Sequence, residues 1–127
     1  MVGEFKGKTT GIRVLEGGKI EFSQQGMGTI LGMEASLLAT GTGTPMPTGV
    51  IMAEANGMVT TMNGDVVMSK ISGIGWPTGK GWKSFYKGAC YQMTQSPKLA
   101  ALNKMVLVWT NESDENGDFV LKLWEWK

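Results

Sequence analysis

The chain has 127 residues, 42% of them hydrophobic and 18% charged, the proportions of one globular domain around one core. Twelve Lys and Arg oppose 11 Asp and Glu, so the net charge of +1 provides no overall field to attract nucleic acid or an anionic membrane surface. Histidine is absent and Cys90 is the only cysteine, which excludes Ser-His-Asp and Cys-His nucleophiles, His-ligated metals and an internal disulfide; no metal and no cofactor are expected.

The strand signals follow one another evenly. Glu4 to Leu15 alternates loosely and ends at Gly17-Gly18, after which Lys19 to Leu31 resumes with Ile20 and Phe22 on one face, a hairpin pattern. Met33 to Thr44 is the third strand. The segment Pro45-Met-Pro-Thr-Gly49 lacks ladder donors at its prolines and forms a loop before Val50 to Met62. Asn63-Gly64 is the strongest turn signal, because a type I′ turn needs positive φ at both positions, and it leads into Asp65 to Ile74. After Trp76-Pro-Thr-Gly-Lys-Gly81 comes Trp82 to Thr94, with aromatics at Trp82, Phe85, Tyr86 and Tyr91. Ser96 and Pro97 suit N-cap and first-turn positions, so Lys98-Leu-Ala-Ala-Leu102 is predicted as one or two helical turns stopped at Asn103. Met105 to Asn111, a turn ending at Gly117 and Asp118 to Lys127 make the last hairpin.

Eight strands with short connections and no crossover helix imply an all-β, antiparallel, up-and-down sheet in a single domain spanning residues 1–127. Closure into a barrel removes both edges and buries one apolar face, so the barrel is preferred to a sandwich of the same strands. It also accounts for the 19 glycines: Gly26, Gly28, Gly32, Gly41, Gly43, Gly57, Gly73, Gly75 and Gly88 fall where strands must bend around a narrow tube. Apolar stretches such as Val106 to Trp109 are too short to span a bilayer, and Met1 to Lys8 lacks the basic-then-apolar order of a signal peptide; no membrane association and a cytoplasmic location are expected.

The glycine-interrupted strands, the Gly79-Lys-Gly-Trp82 lead into an aromatic strand, the short Ser96 to Asn103 insert and the closing Leu121-Lys-Leu-Trp-Glu-Trp126 resemble the allene oxide cyclase-like barrels, including bacterial relatives without an assigned activity. That resemblance implies an eight-stranded antiparallel barrel, often oligomeric, which in the plant enzymes cyclises a fatty-acid epoxide inside the tube. It matches no catalytic motif residue by residue, so it carries over the architecture.

Three local motifs invite over-reading, and the first two are read as turns. Gly73-Ile-Gly-Trp-Pro-Thr-Gly-Lys80 has the wrong glycine spacing for a phosphate loop, Gly81 after the lysine, and a strand behind it. Asp114-Glu-Asn-Gly-Asp118 lacks the glycine, distal glutamate and flanking helices of a calcium loop. Asn111-Glu-Ser113 is a glycosylation sequon, relevant only to a secreted eukaryotic protein.

The candidate site residues come from two strands. Alternation over Val50 to Met58 puts Met52, Glu54 and Asn56 on one face, and Ile51, Ala53, Ala55 and Gly57 on the other. Turned inward, Glu54 would sit among methionines and be the candidate catalytic carboxylate or ligand-orienting group; turned outward, it faces solvent or a subunit contact, the preferred reading. On the aromatic strand the face Trp82, Ser84, Tyr86, Gly88, Cys90, Gln92 is uncharged and is placed inside, with Tyr86 available to hydrogen-bond a ligand and Cys90 more plausible as packing than as a thiolate. Met52, Glu54, Asn56, Tyr86 and Cys90 are thus the ligand-binding candidates. The last strand is apolar on both faces, Trp124 and Trp126 against Phe119, Leu121 and Leu123. Ile51 with Val59 and Val106 with Val108 repeat this, so a homo-oligomer covering an outer patch is expected. Three functions fit: a barrel binding a small apolar ligand, which is favoured; a cyclase or isomerase using a lumenal carboxylate and water; or a solid barrel acting through its surface.

Overall fold

A computed structural model describes residues 1–127. Its strands are β1 (Gly3–Val14), β2 (Ile20–Ile30), β3 (Met33–Pro45), β4 (Ile51–Thr61), β5 (Val66–Pro77), β6 (Ser84–Thr94), β7 (Val106–Ser113) and β8 (Asp118–Trp126). Each pairs antiparallel with the next, and β1 pairs with β8 from Gly3↔Leu123 to Lys8↔Asp118, closing an eight-stranded meander barrel as expected. No helix is long and apolar enough to cross a membrane.

Three hairpins share one loop chemistry. In Met46–Val50, Thr61–Asp65 and Asp114–Asp118 the first and last residues pair, and the glycine before the last, Gly49, Gly64 or Gly117, has φ of 87–88° and donates its N–H to the carbonyl of the first residue. This is a three-residue loop closed by a left-handed glycine. It corrects the type I′ expectation at Asn63-Gly64, since Asn63 does not have positive φ. The two-residue turn with positive φ at both positions lies instead at Leu31 and Gly32, between β2 and β3. Gly32 is therefore a turn residue, not a strand bend.

The other glycines singled out in the strands face the barrel axis. Gly73 and Gly88 are directly paired, and a Cβ on Gly88 would run into the backbone of Ser72 and Gly73. A Cβ on Gly73 would stand 2.7 Å from Cζ2 of Trp109, whose ring covers it. The small positions thus let walls approach and leave room for rings from the opposite side of a narrow tube.

The interior divides into two halves. Near the carboxyl end of β6 it is filled by Phe5, Ile30, Leu37, Val59, Val67, Leu107 and Leu123. The predicted helical turns are a 3-10 helix, Pro97–Lys104, whose three-residue period turns both Leu99 and Leu102 into the core, where they are fully buried. It plugs this end. Gln92 Nε2 donates to the carbonyls of Leu102 (3.3 Å) and Met105 (3.2 Å), and Cys90 Sγ donates to Gln92 Oε1 (3.1 Å). Asn103 lies within the helix rather than stopping it, and its carboxamide pairs with the Thr94 backbone in both directions, at 2.8 and 2.9 Å, imitating a neighbouring strand. Ser96 precedes Pro97 as expected but forms no side-chain cap, and its hydroxyl is buried without a partner.

Candidate functional site

The opposite, open end is shaped by one irregularity. In β1, Phe5, Gly7 and Thr9 face inward, and the register with β2 then shifts between Thr9 and Gly11, a β-bulge at Thr10. The extra residue reverses the alternation, so Ile12 and Val14 face the same side as their partners Phe22 and Ile20. Ile12 and Val14 nevertheless remain 39% and 77% exposed, because the β1–β2 hairpin rises past the shorter β7 and β8. Ile20, Phe22, Ile51 and Tyr86 on the same inner wall are half-buried. Apolar side chains aimed at the axis are therefore open to solvent, making an uncharged vestibule.

Its polar groups lie deeper. Asn111 Nδ2 of β7 donates to Gln24 Oε1 of β2 at 3.0 Å, spanning β8 and β1, and Gln24 Nε2 donates to Thr9 Oγ1 at 3.4 Å. Asn111 Oδ1 and spare amide hydrogens remain to meet a further polar group. One inward position below Asn111, Trp109 lies over Gly73 and closes the floor; its buried indole N–H has no partner. Tyr86, cross-strand from Asn111, rests its ring on Gly75, where a Cβ would collide with it. Burial raises the Tyr86 phenol above its ordinary pKa, and burial pushes the Cys90 thiol up to about 12. Both are protonated at neutral pH.

The five candidates separate. Tyr86 and Cys90 face the interior as expected, but only Tyr86 reaches the open end; Cys90 is buried beneath it as a hydrogen-bonded part of the plug. Met52, Glu54 and Asn56 are on the outer wall and exposed, and cannot line the interior. The reason is steric. Inside β4 stand Ala53, Ala55 and Gly57, and a Cβ on the facing Gly41 would already collide with Ala55. Glu54 thus takes the outward orientation preferred from the sequence, which corrects its candidacy as a lumenal catalytic or ligand-orienting carboxylate. Ile51 and Val59 also face inward, so they make no demand for outer cover. Gln24, Asn111 and the bulge-turned Ile12 and Val14 were not singled out in the sequence. The polar positions are visible in alternation with Phe22 and Trp109, whereas the bulge hides the phase of Ile12.

No protein-family profile and no curated protein matches the sequence. Among solved structures, the chain is similar to a protein of unknown function from Clostridium acetobutylicum, with a TM-score of 0.84 at 13% identity over 99% of this chain and 96% of that one. It is similar to a conserved protein of unknown function from Rhodopseudomonas palustris, at 0.82 and 14% over 98% and 93%. A β-barrel-like protein from Acinetobacter baumannii gives 0.81 and 14% over 98% and 92%. At these identities the likeness is one of fold: the chain has the architecture of eight-stranded barrels found in several bacteria.

Proposed function

We propose that the chain is a ligand-binding member of the allene oxide cyclase-like barrels, taking a small, uncharged, largely apolar molecule into its open end. The observation that carries this is the solvent exposure of Ile12 and Val14, beside the half-buried Ile20 and Phe22, on the inner side of the wall above the Gln24–Asn111 amide pair, with no charge among them. Apolar surface left wet inside a concave wall gains by being covered, and two carboxamides give the occupant an orientation. An ionised group carried down to that level would lose its water without a counter-charge.

N-phenyl-1-naphthylamine, an uncharged fluorescent probe, tests the reading. Saturable binding at one probe per chain is expected. Phe22→Asp, which places a charge on the inner wall, weakens it about tenfold or more, and Met93→Glu on the outer wall leaves it unchanged. Unsaturable binding, or equal affinity for Phe22→Asp, overturns the proposal.

A further inference from the structure

The outer wall of β5–β8 carries more apolar surface than a solvated barrel face needs. Register aligns its outward side chains in rows across the strands: Met68 beside Met93; Lys70, Tyr91, Val106 and Trp126; Ser72, Ala89, Val108 and Trp124; then Ile74, Lys87, Thr110 and Lys122. Met68, Tyr91, Met93 and Trp126 are 52–73% exposed, and Ile74 and Val108 are each 37% exposed. With roughly 150–250 Å² for a fully exposed large side chain, these six offer about 500–800 Å² of exposed surface. That is at or above the upper end of the roughly 300–600 Å² of the largest patch on a typical monomer and approaches the about 800 Å² each partner buries in a standard interface.

The face also has relief. Its middle row holds the small Ser72 and Ala89. On one side of that row Tyr91 and Met93 stand out; on the other a groove of about 540 Å³ is walled by Ile74, Lys87, Thr110 and Trp124 over a floor of Gly73 and Gly88. Lys87 and Tyr91 are four residues apart on β6, so projection and groove are separated by about 13 Å along the strand, with Ala89 midway.

A two-fold contact requires one patch that fits itself. We infer that a second copy of this chain docks on this face, with the two-fold axis lying in the contact plane along the cross-strand row through Ser72, Ala89 and Val108. Rotation about that axis carries each Tyr91 into the other copy's groove, its ring against the Lys87 ammonium, a cation–π contact. It sets Met93 against Phe85, apolar on apolar, Trp126 against Lys122, Val106 against Thr110 and the Lys70 stem against Ile74. The small side chains on the axis allow the two convex walls to approach. Projection and recess thus occur in one patch, at the spacing self-association needs.

Sedimentation velocity over a concentration series tests this, with circular dichroism to verify folding. The wild-type chain is expected to form dimers. Tyr91→Lys, a substitution at an exposed position, brings like charges together across the axis and weakens the dimer about tenfold or more. Adding Lys87→Glu restores it, because the two residues are too far apart within one copy to pair. A wild-type chain monomeric to about 100 µM overturns self-association and leaves the face to a different protein. A dimer indifferent to Tyr91→Lys overturns the choice of face, and failure of Lys87→Glu to rescue overturns the two-fold placement. None of these substitutions touches the inner wall, so the outcome is independent of probe binding in the open end.

Discussion

Cys90 shows how one residue's chemistry is decided by its surroundings. A thiol with an ordinary pKa of 9.0 is held protonated up to about 12 by burial, while its S–H is used on Gln92. Below pH 9 the group is protonated in both folded and unfolded chains and adds no pH dependence. From pH 9 to about 12 the unfolded chain has released the proton and the folded chain retains it, so folding stability falls by about 1.4 kcal/mol per pH unit from this group. Urea unfolding of wild type and Cys90→Ala at pH 8 and pH 10.5 should show the smaller alkaline loss in the variant; equal losses would mean that the thiol is not desolvated in the folded state. Alternation alone placed Tyr86 and Cys90 inside, because their face of β6 carries no charge. For Glu54 alternation supplied two opposite faces and no means of choosing. The choice was made by Gly41 and Ala55, which approach so closely inside the barrel that no long side chain of β4 fits there.

At the scale of elements, loops and plug follow local rules. Gly49, Gly64 and Gly117 each sit where a left-handed residue closes a three-residue hairpin loop, and each is readable as a turn signal before the exact loop is known. The segment after Ser96 is short of the length at which an isolated helix is stable, so it is held by burying Leu99 and Leu102 and by the Asn103 clamp on Thr94. Leu102→Ala should therefore cost about 2–5 kcal/mol in urea unfolding, as for a core leucine; a loss under about 0.5 kcal/mol would place the leucine on a solvated turn. The bulge at Thr10 is the element least visible in the sequence. It adds one residue to a strand whose alternation is loose, and it is detected only against a partner whose register is known.

Across the whole molecule, stability is unevenly distributed between the two ends of the tube. The plugged end holds Phe5, Val67, Leu99, Leu102 and Leu107, all fully buried, whereas the rim formed by Gly11–Phe22 has no fully buried residue. Hydrogen exchange should accordingly show amides of Phe5, Val59, Val67 and Leu107 opening only with global unfolding, and those of Ile12–Phe22 opening locally and much faster. Uniform protection along β1 and β2 would contradict a two-ended barrel. An open end of low local stability also suits an opening that takes up a ligand. The sequence by itself determined the strand count, the meander order, the inward face of β6 and the apolar outer face of β8, since these depend on two-residue periodicity and turn chemistry within short stretches. Tertiary structure alone decided which face of β4 looks inward, that Ile12 and Val14 join the inner wall, and that Gln24 meets Asn111. Those depend on closure: side chains far apart in the chain must share one narrow interior, and the space available there is a property of all eight strands together.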